Sequence, residues 1–165
     1  MRLSPSRVAA CLALGLPPVA PAWAEPPNAA VFDFQFAKGA STEPTEEERA
    51  RLRRTGDTLR TLLTESGRYT VVATDPVRDA VAKSADLRSC NGCAEDFAKQ
   101  LGADTAITGE VQKVSNLILN INVYVKPLRE GAPEQAYSVD LRGNTDESFD
   151  RGIRYLVKNR MLDGR

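Results

Sequence analysis

The sequence predicts an α/β (α+β-like) fold: a single mixed sheet of about five strands, ordered βαβα, then a three-strand antiparallel meander and a C-terminal helix. Three observations predict it. Short runs of β-branched or alternating apolar residues lie at 29–36, 69–73, 105–112, 117–125 and 135–142, which is the period of a strand. Apolar residues at spacings of three and four fill 45–66 and 145–161, with shorter helical pieces at 75–85 and 94–101. Brief turns separate the last three strands, so those pair antiparallel. The first two are joined by a helix and pair parallel.

Residues 1–24 read as an address. Arg2 and Arg7 are the only charges before Glu25, an apolar run from Val8 to Leu16 follows them, and Ala22-Trp23-Ala24 closes the segment. A positive start, a short apolar middle and a small-x-small ending define a secretory signal peptide. The run falls short of the ~20 residues a membrane span needs. Cys11 is no lipid-attachment site, because Arg7 stands where its apolar stretch should be. Cleavage after Ala24 is expected, leaving one domain over residues 25–165 with no integral membrane segment. The periplasm is the expected compartment.

In residues 29–36, Phe32, Phe34 and Phe36 alternate with Val31, Asp33 and Gln35 and are expected on one face. Thr45-Glu46-Glu47-Glu48 is a capping box with acids in the first turn. The helix after it carries Leu52, Thr55, Leu59, Leu62 and Leu63 on one stripe, and Gly67 ends it. Asp75-Pro76 opens a second helical piece. Ser89-Cys90-Asn91-Gly92-Cys93 is a turn, and Gly102 ends the helix after it. A tight turn over residues 113–116 joins the third and fourth strands. Asn144 is expected to cap the last helix, with Phe149, Ile153, Leu156, Val157 and Met161 as its buried stripe.

Composition removes whole classes of function. Lys and Arg number 22, Asp and Glu 22, and there is no histidine. Balanced charge argues against nucleic-acid binding. Without histidine the chain lacks the commonest general base, metal ligand and partner of a nucleophile. No phosphate-binding Gly-Lys-Ser/Thr loop, no Gly-x-Ser-x-Gly elbow and no Ser-x-x-Lys occurs. The chain therefore shows no recognisable catalytic residue, and an enzyme is not expected.

Two features remain. Cys90 and Cys93 survive signal removal as an even pair in an oxidising compartment. They can form a structural disulfide around Asn91-Gly92, or a redox pair whose second cysteine gains thiolate character at a helix N-terminus. Haem attachment would need histidine where Ala94 stands, and zinc would need four ligands. No cofactor and no metal are expected. On the fourth strand, Asn116, Asn120, Asn122 and Tyr124 oppose the apolar Leu117, Leu119, Ile121, Val123 and Val125. Asparagine is poor in strands, so this face is either the wet side of a sheet or a polar recognition surface.

Several short motifs carry a resemblance. Phe32-Asp33-Phe34, Ser66-Gly67-Arg68-Tyr69-Thr70-Val71-Val72, Leu101-Gly102-Ala103-Asp104 and Thr108-Gly109-Glu110-Val111 resemble the TolB amino-terminal domain across most of residues 29–142. They also resemble the related periplasmic domains of the curli secretion protein and of the lipoprotein activators of penicillin-binding proteins. Cys-x-x-Cys, Gln112-Lys113-Val114-Ser115-Asn116-Leu117-Ile118-Leu119-Asn120 and Arg142-Gly143-Asn144-Thr145-Asp146-Glu147-Ser148 resemble, over nearly the whole mature chain, an uncharacterised family of small secreted bacterial proteins. Its members are often encoded near periplasmic quinoprotein alcohol-oxidation systems. That resemblance implies a non-enzymatic periplasmic binding or assembly module with a protein partner, accessory to such a system. The alternative is a thiol–disulfide protein using Cys90 and Cys93.

Overall fold

The computed structural model describes residues 25–38, 43–84 and 86–163; the expected signal peptide at 1–24 lies outside them. Six strands form one mixed sheet: β1 (Asn28–Val31), β2 (Gln35–Phe36), β3 (Thr70–Val72), β4 (Thr105–Lys113), β5 (Leu119–Pro127) and β6 (Gln135–Leu141). Their order is β3-β1-β4-β5-β6, with β2 also beside β4. β1 pairs parallel with β3 and β4, whereas β4, β5 and β6 form the antiparallel meander.

Helix α1 (Glu46–Glu65) starts at the expected capping box. Thr45 Oγ1 accepts from the Glu48 N–H, and Glu48 accepts from the Thr45 N–H. Helix α4 (Asp146–Leu156) runs into a π-helical turn at Val157–Met161. Both expected leucine-type stripes are buried, and both helices lie on one face of the sheet. Helices α2 (Arg78–Lys83) and α3 (Cys93–Gln100) cover the opposite face over β1 and β4. Burying an apolar stripe on each side drives this three-layer packing. β5 and β6 extend past α2 and α3, so half of that second face stays open.

Three expectations are corrected. Residues 29–36 do not form one continuous strand. The ladder breaks at 32–34, so Phe32 packs in the smaller core while Phe34 lies in the larger one. The Phe34 ring occupies the space over Gly109, where any Cβ would sit 2.4 Å from it. Second, the hairpin between β4 and β5 extends further than expected. β5 starts at Leu119, which leaves Asn116, Leu117 and Ile118 in the turn. Third, Thr145 caps α4 by accepting from the Ser148 N–H. Asn144 instead turns inward to Glu48 and Arg51.

Candidate functional site

The open half of the sheet carries the residues singled out on the fourth strand. On β5, Leu119, Ile121, Val123 and Val125 enter the core, and Asn120, Asn122 and Tyr124 point to the other side. Strand register extends this into cross-strand rows: Gln112, Asn120 and Asp140; then Glu110, Asn122 and Ser138. Asn120 donates to Asp140 at 2.8 Å, and the Ser138 hydroxyl reaches the amide oxygens of Asn122 at 2.8 Å and Asn120 at 3.0 Å. Among the described residues, none pairs with the Asn122 NH2 or the Gln112 side chain, so the row keeps free donors and acceptors. Tyr124 is not free. Arg88 lies 3.5 Å over its ring and holds Glu134 through two bonds of 2.8 and 3.0 Å. Burial pushes the Glu110 carboxyl up, the Asp86 charge adds to this, and Arg88 opposes it. Burial likewise raises the Tyr124 phenol, with Glu110 adding and Arg88 opposing.

The cysteines border this face. Cys90 and Cys93 are bonded, with Cα atoms 5.7 Å apart. Asn91 (φ 53°) and Gly92 (φ 103°) make the left-handed turn between them, a conformation those two residue types tolerate best. Cys93 begins α3, and both sulfur-bearing side chains pack against the smaller core. The loop also places Asp86 and Arg88, since Asp86 accepts from the Arg88 N–H at 2.7 Å and from the Gln35 amide.

Asn116 stands apart from the row, at a hairpin tip that strand periodicity concealed. Val114, Leu117 and Ile118 are 75%, 74% and 59% exposed there. The tip is nevertheless tied down. Val114 and Ser115 donate to the Ile118 carbonyl, and the Ser115 hydroxyl accepts from Leu117 and Ile118. Gly143 and Asn144 donate to the carbonyls of Leu117 and Asn116. Beneath it lies a part-buried ionic cluster around Glu48 and Arg51: Lys113 meets Glu48 at 2.6 Å, Asn144 donates to the same carboxylate, and Arg51 reaches Asn144 and the exposed Asp146 at 2.7 Å each. Burial alone would raise the Glu48 pKa. Bonds from Lys113, the Thr45 N–H and Asn144 outweigh it and bring the group to about 2. One signal was available in the sequence: Leu117 and Ile118 are adjacent, so both cannot face the core of one sheet.

A cleft of 1010 Å³ opens beyond the carboxyl ends of β1 and β3. Its arginines are committed internally, Arg53 to Glu46, Arg60 to Asp57 and Asp33, and Arg78 to Asp75. Among the described residues no cluster of His, Cys, Asp or Glu could hold a metal, and no helix is long and apolar enough to cross a membrane. The candidate site thus comprises a polar sheet face, a disulfide-bounded wall and an apolar hairpin tip held by backbone hydrogen bonds.

Residues 27–161 match the model of a family described as a protein of unknown function (DUF2380), and the chain belongs to that family. None of the curated proteins matches it. Among solved structures, the LpoB C-terminal domain from Salmonella enterica is similar at 13% identity and TM-score 0.47, covering 70% of this chain and 81% of that one. The LpoB C-terminal domain from Escherichia coli is similar at 14% identity and TM-score 0.44, covering 68% and 82%. A PelC dodecamer from Paraburkholderia phytofirmans gives 9% and 0.41, covering 84% and 92%.

Proposed function

We propose that the protein is a non-enzymatic periplasmic binding module that docks on another protein through the Val114–Ile118 tip, with the Asn120 and Asn122 row as its polar rim. One observation carries this: three large apolar side chains stand exposed on a turn, where the folding of this chain alone would favour Gly, Asn or Asp. The part-buried cluster under the tip holds it in place before any partner arrives, which lowers the ordering cost of binding. The exposed acids Glu46, Glu47, Asp146 and Glu147 begin the two helices beside it. Those acids are paired with Arg49, Arg53, Arg51, Arg54 and Arg151, so the fitting partner offers an apolar pocket with a polar, mixed-charge edge. The signal-peptide pattern supports the periplasm as the place of encounter. The family resemblance supports a component of a quinoprotein alcohol-oxidation system as that partner.

A photo-crosslinking residue at position 117 of the exported protein tests the docking surface. It should give one discrete adduct in cells growing on an alcohol, and the same residue at position 60 should give none. With the crosslinker kept at position 117, Val114→Asp with Ile118→Asp should keep stability within about 0.5 kcal/mol, as exposed substitutions do, and abolish the adduct. An unchanged adduct in that double variant would refute the tip as the docking site. Unimpaired growth on alcohols in a strain carrying only the variant would remove the alcohol-oxidation reading.

A further inference from the structure

The far side of β6 pairs with no strand among the described residues, so alternate residues of this seven-residue strand present unpaired N–H and C=O groups at the sheet edge. Sheet edges in soluble proteins are normally blunted by Lys, Pro, bulges or covering elements. The β6 sequence Gln-Ala-Tyr-Ser-Val-Asp-Leu has no Lys or Pro, and Asp140 is its only charge.

We propose that this edge pairs with the β6 edge of a second copy of the chain, antiparallel across a two-fold axis perpendicular to the sheet. Such an axis keeps each residue on its own face, so the register must be centred on a residue. Centring on Ser138 uses the whole strand. Gln135 then meets Leu141 of the second copy, Ala136 meets Asp140, and Tyr137 meets Val139. No like charges face each other, and the aromatic and β-branched pair is a favourable cross-strand combination. One step beyond the strand, Glu134 faces the exposed Arg142 of the second copy. A lone edge strand has no need of this self-complementarity.

A second observation agrees. Among the described residues, the large apolar ones that stand exposed are the three of the hairpin tip and Tyr155, at 47%. Gly152 of α4 packs so closely on Leu141 of β6 that an added Cβ would lie 2.3 Å from it. Tyr155 follows three residues later and so shares that flank of α4. Edge pairing would bring the two α4 helices together and cover Tyr155. This dimer leaves both hairpin tips free, so it stands or falls separately from the docking site proposed above.

Sedimentation equilibrium of the secreted protein should show a monomer–dimer equilibrium; a monomer at every concentration up to the millimolar range would overturn the proposal. Position 136 supplies the diagnostic, because Ala136 is exposed and faces Asp140 twice in the dimer. Ala136→Glu should weaken dimerisation by about tenfold and Ala136→Lys should tighten it by about as much, both effects fading in salt. Circular dichroism should show both variants folded alike. A dimer indifferent to both charges, or one dissociated by Leu117→Asp, would assign the interface elsewhere and overturn the edge pairing.

Discussion

Glu48 shows how one buried carboxylate can govern a surface it does not touch. Its charge is compensated by Lys113 at the base of the tip and by Asn144 before α4, so three elements converge on one oxygen atom. Removing one partner of a buried pair is costly because the other charge stays behind. Lys113→Met should therefore destabilise the protein by about 3 kcal/mol in urea unfolding at neutral pH. The folded pKa, about 2, lies below the ordinary 4.5. The unfolded chain then binds the proton more readily than the native state between those values. The stabilisation is complete above about pH 5 and is lost as the pH falls towards about 2. Asp146 is also lowered, first by Arg54 and then by Arg51, so it contributes in the same direction. Glu48→Gln should start less stable at neutral pH and lose less on acidification. Parallel stability–pH curves for the variant and the parent would show that Glu48 is not the controlling group.

Elements with a single clear period were legible before any coordinates. Leu52, Leu59, Leu62 and Leu63 on α1, and Phe149, Ile153 and Leu156 on α4, are all buried as their spacing requires. Interruptions of the period were not legible. The alternation of Phe32, Phe34 and Phe36 looks unbroken in sequence, yet the chain shifts phase between β1 and β2. The cause lies on β4, where Gly109 leaves a gap that the Phe34 ring fills, a long-range match that local spacing does not encode. Leu117 likewise extends the alternation of β5 into a turn, and Asn144 was a plausible cap until Glu48 claimed its amide. Asn120 and Asn122 lie on the polar face as alternation requires, whereas no local spacing encodes the stacking of Arg88 on Tyr124. The Phe34–Gly109 match is testable. Gly109→Ala should cost about 2 kcal/mol through overpacking, and Phe34→Leu in the same chain should recover part of it. Additive losses in that double variant would mean the two positions are not coupled.

At the scale of the molecule the two faces of the sheet are unequal. The α1 and α4 side buries large side chains, including Leu59, Leu63, Ile121, Phe149 and Ile153. The α2 and α3 side is built mostly on alanines, namely Ala30, Ala94, Ala98, Ala103 and Ala106, around Phe32, Val77 and Leu87. Smaller side chains remove less apolar area from water, at roughly 25 cal/mol per Å², so the second layer is held less firmly. The Cys90–Cys93 bond lies in that layer, between the segment that positions Arg88 and the first turn of α3. A ring this small constrains the unfolded chain by about 2 kcal/mol or less, a minor share of global stability. Its effect should fall instead on local opening. The Cys90→Ala/Cys93→Ala protein should still fold, with a modestly lower melting temperature. Hydrogen exchange should separate the layers: amides of α2 and α3 exchange faster than those of α1, β4 and β5 in the parent. In the double variant the acceleration should be confined to residues 86–100. Equal acceleration across the chain would show that the two layers open as one unit, and the disulfide would then act on global stability rather than on the wall beside the polar face.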